Sequence, residues 1–247
     1  MAGSRTTRRR TKLSTTSIAY SRPPRISHPT TLVKASRLPV PVPPHRLAPV
    51  PPLEQLPAGS RLHRIHGVQW RGSQFNTSAH KSRFAPLVDE HGHRVAVLYA
   101  GATFDVAVYE SLFHAVGPGP ASRTWPASRI ETVAHSILKT EHDLQLAPLF
   151  RRNLIAWNIT DQELIQAPAR HYVVTAAWGE AVHRSMTAAH GLVWTSSREG
   201  SDRCYVFFGD RVSEHDFVVV TRREAGDETF FADVCRSARH GDITITI

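Results

Sequence analysis

The chain has 247 residues, 41% of them hydrophobic, and a formal net charge of +9. That charge is not spread evenly: residues 1–60 carry ten Lys/Arg against one acid, Glu54, whereas residues 61–247 carry twenty of each. A balanced body argues against a basic nucleic-acid-binding fold, and the two cysteines, Cys204 and Cys235, cannot form a disulfide framework. No apolar run reaches the roughly 20 residues that cross a membrane.

The N-terminal segment holds eleven of the seventeen prolines, with Pro39, Pro41, Pro43 and Pro44 close together, then Pro49, Pro51 and Pro52. Proline fixes φ and removes an amide donor, so such a stretch reads as extended linker. The first twenty residues are rich in Ser, Thr and Arg and predict disorder. The basic residues Arg8, Arg9, Arg10 and Lys12 are followed by no apolar stretch, so a secretory leader is not expected and the cytoplasm is the expected compartment. Nucleic acid would meet the protein only weakly, through this tail. Residues 1–55 are therefore expected to be a flexible extension, and residues 56–247 the folded domain.

Within the domain, Ser60–His66 reads as a strand, with Leu62, Arg64 and His66 on one face and His63 and Ile65 on the other. Gly72–Pro86 is polar and loop-like, with Arg83 just before Phe84, and Val88–Arg94 turns around Gly92. The organising stretch is His93–Gly117. Its apolar run Val95–Tyr99 suits a strand buried on both faces. Gly101 breaks that run, Thr103 stands where an N-cap belongs, and Asp105 suits the first turn of a helix. Glu110 falls inside this helix, where an ionised carboxylate needs a partner or a pocket.

Strands are expected over Ile130–Leu138 and Leu154–Ile159, and a helix over Ala176–His190 with Gly191 as its terminating residue. Leu192–Thr195, Cys204–Phe208, Phe217–Thr221 and Ile243–Ile247 complete the expected strands. Helices and strands mix without a regular βαβ rhythm, which gives an α+β fold, a single mixed-sheet domain.

No dinucleotide-binding glycine fingerprint, P-loop, G-x-S-x-G or H-E-x-x-H is present. Histidines are numerous, at 15, but His63 and His66 are three apart on a strand and so face apart. Glu110 and His114 share a helix face without a third ligand at a matching spacing, so no metal is expected. A different set is more economical: Arg64, Arg83, Tyr99, Glu110 and Ser196. Arginine forks suit a diphosphate, and tyrosine offers a face to a heteroaromatic ring. A single carboxylate suits an oxocarbenium-like centre. Glycoside hydrolysis usually needs a second carboxyl group as acid, but a pyridinium leaves as a neutral molecule and needs none. One glutamate can therefore suffice for the N-glycosidic bond of NAD.

Leu62-His63-Arg64, Arg83-Phe84-Ala85-Pro86, Val97-Leu98-Tyr99-Ala100-Gly101, Ala107-Val108-Tyr109-Glu110 and Gly191-Leu192-Val193-Trp194-Thr195-Ser196 together resemble the ordered motifs of the RES domain family. The eleven-residue step from Tyr99 to Glu110 and the following His114 fit its pattern, over roughly residues 56–220. Trp194 departs from it, standing where a tyrosine is more usual. The resemblance implies an ADP-ribosyltransferase-like fold and NAD as substrate, with no bound cofactor. It also implies a role as the toxin of a toxin–antitoxin pair, with an antitoxin as partner and phosphate or water as acceptor. It carries the substrate-binding role onto Arg64, Arg83 and Tyr99, and the catalytic role onto Glu110, Tyr99 and Ser196, with Ser197 open as the serine. Two other readings stand beside it. One is a mono-ADP-ribosyltransferase with a protein target, and the other a non-catalytic nucleic-acid-binding protein using the basic N-terminus.

Overall fold

The computed structural model describes residues 1, 40–117, 119, 122–200 and 202–247. Those from Val40 onward form one compact unit. The elements are β1 (Glu54–Leu56), β2 (Arg61–Gly67), β3 (Leu87–Val88), β4 (Arg94–Val95), β5 (Val97–Gly101), α1 (Phe104–Ser111), β6 (Thr124–Pro126), β7 (Val133–Thr140) and β8 (Leu144–Pro148). There follow α2 (Arg151–Ala156), α3 (Asp161–Leu164), α4 (Tyr172–Ser185), β9 (Gly191–Thr195), β10 (Arg203–Phe208), β11 (Phe217–Glu224), α5 (Glu228–His240) and β12 (Thr244–Thr246). The fold is α+β, built on an eight-stranded mixed sheet in the order β1-β8-β9-β10-β5-β2-β7-β11.

Alternation along the central strands assigns each side chain to a layer. On β10, Cys204, Val206 and Phe208 face one core with α4, and Tyr205 and Phe207 face another. Leu192 and Trp194 of β9 and Val97 and Tyr99 of β5 share the first face. A third core joins α1, α5 and the short β6–β12 pair through Val108, Phe113, Trp125, Phe230 and Val234.

One feature of the sheet positions the site. β2 pairs along its whole length, Arg61 to Gly67, with Lys139 to Val133 of β7, but pairs with β5 only through His63 opposite Gly101. The two strands splay apart from that single pair. Gly101 also pairs with Cys204, and α1 lies directly on it: a Cβ there would sit 2.7 Å from Val106 Cγ1 and 2.9 Å from the Ala107 amide nitrogen. Gly101 is thus required by close approach, and not only by the turn that ends its strand.

Several expectations change. Residues 154–159 are not a strand: they end α2, and Asn158 adopts a φ of 56° that closes the helix. α4 starts earlier than expected and stops at Ser185. Gly191 belongs to β9, where a Cβ would meet the Val206 carbonyl oxygen at 2.1 Å. α5 is an added element, signalled by its Asp227 cap and by buried Phe230, Val234, Ser237 and Ala238 at helical spacing.

The largest difference lies in the proline-rich segment. Its residues 2–39 lie outside the described residues, but residues 40–55 are not free linker. Val40 and Leu47 are buried in the core with Trp157 and Trp178. Trp178 Nε1 donates to the Pro41 carbonyl at 2.7 Å, Trp157 Nε1 to Pro49 at 2.8 Å, and the Leu47 amide to Ser185 Oγ at 2.9 Å. Extended backbone has carbonyls free of secondary structure, so it can satisfy buried indole donors that a helix could not reach. Removing residues 1–50 is therefore expected to destabilise the domain, against the linker reading. Leu47→Ala isolates the effect: it should cost about 2–5 kcal/mol, read as a lower denaturant midpoint. A loss below about 0.5 kcal/mol is what a surface linker would give.

Candidate active site

A cleft of about 290 Å³ opens where β2 and β5 separate, along the face of α1 that carries Val106, Ala107 and Glu110. Arg64, Arg83, Tyr99 and Glu110 line it. Thr103 caps α1 by accepting from the Val106 amide at 3.4 Å, and Asp105 occupies the first turn. Glu110 lies two turns later and is half-buried. Ser196 Oγ donates to Glu110 Oε1 at 2.7 Å, and accepts from the amides of Arg198 at 3.2 Å and Glu199 at 3.0 Å. Ser196 is itself buried in the turn after β9, so its hydroxyl holds one carboxylate oxygen in place. Of the two serines left open, Ser196 reaches Glu110.

The arginines are buried cations without carboxylate partners among the described residues. Arg64 is 8% exposed and donates from Nη1 to the Gly72 carbonyl at 2.7 Å. Burial lowers its pKa to about 10, with Glu214 opposing. Arg83 is 6% exposed and donates from Nη1 to the carbonyls of Leu164 and Ala167, at 3.3 and 3.2 Å. Its guanidinium carbon lies 5.7 Å from the centre of the Tyr172 ring. Carbonyls and a ring face leave positive charge uncancelled, which is what an anion site needs.

Tyr99 does more than present a ring. Its hydroxyl accepts from the Phe84 amide at 3.0 Å and shares a hydrogen bond with Ser82 Oγ at 3.1 Å. Those two residues flank Arg83, so Tyr99 fixes the loop that delivers the guanidinium. Burial raises the phenol to about 12 and keeps it protonated. The ring stands edge-on to Trp194, whose buried indole nitrogen has no partner among the described residues.

Sequence reasoning missed other groups in the cleft: His63, Lys81, Ser82, Tyr172, Arg198 and Cys204. Lys81 and Ser82 carried the signal of adjacency to Arg83, and Arg198 that of adjacency to Ser196. Cys204 lies beside Glu110 and Ser196, but burial, and then the Glu110 charge, raise its thiol, so it stays protonated and a poor nucleophile.

Behind the cleft, His66 and His135 are buried between β2 and β7. Burial first, and nearby arginine charge second, lowers them to about 4 and about 3, from 6.5. A histidine whose folded pKa is depressed adds stability above its ordinary value and loses it as pH falls. The unfolding free energy should therefore drop from about pH 6.5 towards pH 4, each histidine contributing up to about 1.4 kcal/mol per pH unit. Urea unfolding at pH 7 and pH 5 measures the slope, and His135→Phe should flatten it by about half if these two dominate.

A family model described as the RES domain matches residues 61–229. No curated protein matches the chain. Among solved structures, the MbcT–MbcA toxin–antitoxin complex of M. tuberculosis contains a chain of similar fold, with a TM-score of 0.53 and 10% sequence identity. The similarity covers 73% of this chain and 91% of that chain. Among the described residues, no helix is long and apolar enough to cross a membrane, and no group of three or more His, Cys, Asp or Glu is arranged to hold a metal ion.

Proposed function

Because the chain belongs to the RES domain family, we propose that it is an NAD-consuming toxin of a toxin–antitoxin pair, which cleaves the bond between nicotinamide and ribose. The observation that carries this reading is the single oriented carboxylate, Glu110 held by Ser196, in one cleft with two arginines that lack acidic partners among the described residues. The fold shared with a toxin–antitoxin complex supports an antitoxin as partner.

In this reading Arg64 and Arg83 bind the pyrophosphate, Arg83 being held in place by Tyr99. The Tyr99 ring packs beside the nicotinamide half. The C1′–N bond breaks with its electron pair going to the pyridinium nitrogen, so nicotinamide leaves neutral and needs no acid. Glu110 stabilises the positive charge growing on the ribose carbon. Ser196 keeps the carboxylate aimed while donating to only one of its oxygens, so the other faces the reacting centre. An acceptor oxygen, from phosphate or water, then bonds to C1′ and releases any extra proton to solvent.

The test is to incubate the purified protein with NAD, with and without inorganic phosphate, and identify the products. Phosphorolysis predicts a phosphorylated ADP-ribose only when phosphate is present, and hydrolysis predicts ADP-ribose in both. Protein-linked ADP-ribose would assign the transferase reading instead, and no consumption of NAD would overturn the proposal.

A further inference from the structure

His63 stands at the one point where β2 meets β5, and it lines the cleft that also holds Glu110. Behind it runs a chain of hydrogen bonds across β7, β11 and α5. Asp233 Oδ2 accepts from Arg223 Nη1 at 2.8 Å. Arg223 reaches His135 Nδ1 with Nε at 3.3 Å and Nη2 at 3.0 Å. His135 Nε2 lies 3.1 Å from His63 Nδ1. The two imidazole planes are nearly parallel, 12° apart with ring centres at 5.2 Å, and the Phe104 ring stands edge-on to both.

The direction of these bonds is decided at the arginine. A guanidinium has donors and no acceptor, so His135 Nδ1 must accept. The proton of a neutral His135 then sits on Nε2 and is donated to His63 Nδ1. The proton of a neutral His63 is in turn forced onto its own Nε2. That Nε2 has no partner among the described residues. It is also not one of the buried, unpartnered polar atoms, which are Trp125 Nε1, Asn153 Oδ1 and Trp194 Nε1. It is therefore open to solvent, on a residue that lines the cleft.

We infer that Asp233, Arg223 and His135 form a relay that locks His63 as a neutral N–H donor to an oxygen of the bound dinucleotide. The inference rests on the reading of the cleft as an NAD site. In this state His63 is no general base: Nδ1 already accepts a bond and Nε2 already carries a proton. It is a binding residue, and His135 and Arg223 are positioning residues. The surrounding charges favour the neutral state. Burial, then Arg61 and Arg223, lower His63, and Asp105 on α1 opposes them. His135 is lowered by burial and Arg223, against Asp233.

Two measurements decide it. The first is long-range proton–nitrogen correlation NMR on the wild-type protein, with the His63 signals identified by their loss in His63→Gln. The expected result is a protonated Nε2 and an unprotonated Nδ1 that do not change between about pH 6 and pH 8. A proton on Nδ1, or titration inside that range, overturns the relay. The second is steady-state kinetics with NAD. His63→Leu should raise KM about tenfold with a smaller change in kcat, and His63→Gln, which keeps an N–H near the Nε2 position, should recover most of that loss. Competition by ADP and by nicotinamide riboside then separates a phosphate oxygen from a ribose oxygen, according to which ligand weakens with His63→Leu. An unchanged KM in His63→Leu overturns the donor role. If the wild-type protein consumes no NAD, the dinucleotide reading fails and the ligand half of the inference falls with it, while the NMR result still decides the relay.

Discussion

Glu110→Gln is expected to lower kcat for NAD about 100- to 1000-fold while KM stays within a few-fold. Glutamine keeps the shape, and its amide oxygen still accepts from Ser196 Oγ, which now holds the carboxylate at 2.7 Å. Only the negative charge is removed. If that charge acts on an oxocarbenium-like centre, its contribution exists in the transition state and hardly in the ground state, so the loss falls on kcat. Folding should not suffer: the carboxylate has no cationic partner among the described residues, so the melting temperature should stay equal or rise. The contrasting explanation is a helix-face charge that merely meets solvent, and it predicts turnover within a few-fold of wild type. Product formation at saturating NAD, with a thermal melt on the same samples, separates the two. A Glu110→Gln enzyme of near wild-type rate would overturn the mechanism and the location of the site together.

Arg83→Met should produce a crossed result, weaker NAD binding in a protein of nearly unchanged stability. The guanidinium is 6% exposed, and its partners are two carbonyls and a tyrosine face. A buried cation without an anion is costly, and methionine fills much the same volume without the charge. Against that stand two carbonyls that lose a donor, an effect of the same order, so the net change in stability should be small. The loss to the substrate is not small. A charge-assisted bond contributes on the order of 1.5–3 kcal/mol, so KM for NAD should rise about 10- to 150-fold. Arg83→Lys should recover only part of this, because a point charge cannot reproduce a bidentate fork on a pyrophosphate. A KM unchanged in Arg83→Met would remove the residue from the site. A large fall in melting temperature would show that its bonds to Leu164 and Ala167 are mainly structural.

Much of the site was legible before the fold. Tyr99 and Glu110 are close in the chain, with a strand, a glycine and a capped helix between them, so local rules suffice to put both near one edge. The same rules misjudged residues 154–159 and 40–55. Leu154 to Ile159 contains the apolar residues of a strand, but Asn158 can take a left-handed conformation and the segment closes a helix instead. The prolines of residues 41–52 forbid helix and sheet ladders there, and from that alone a free linker follows. What holds the segment down is Trp157 and Trp178, more than a hundred residues away, whose indole donors need its carbonyls. Ser196 was legible as a polar residue after a strand, but its choice over Ser197 depended on which hydroxyl met Glu110, 86 residues earlier.

By itself, the sequence determined the class of the fold, the capped helix that carries Glu110, and the residue types that line the cleft. These follow from periodicity, capping and side-chain chemistry, all of which act within a few residues. Only the tertiary structure decided that β2 and β5 splay from a single pair to open the cleft, that Tyr99 fastens the Arg83 loop, and that Arg223 sets the proton on His63 through His135. Each of these is a pairing between segments far apart in the chain. Such pairings are set by how layers stack and where polar atoms find partners, and no local preference records them.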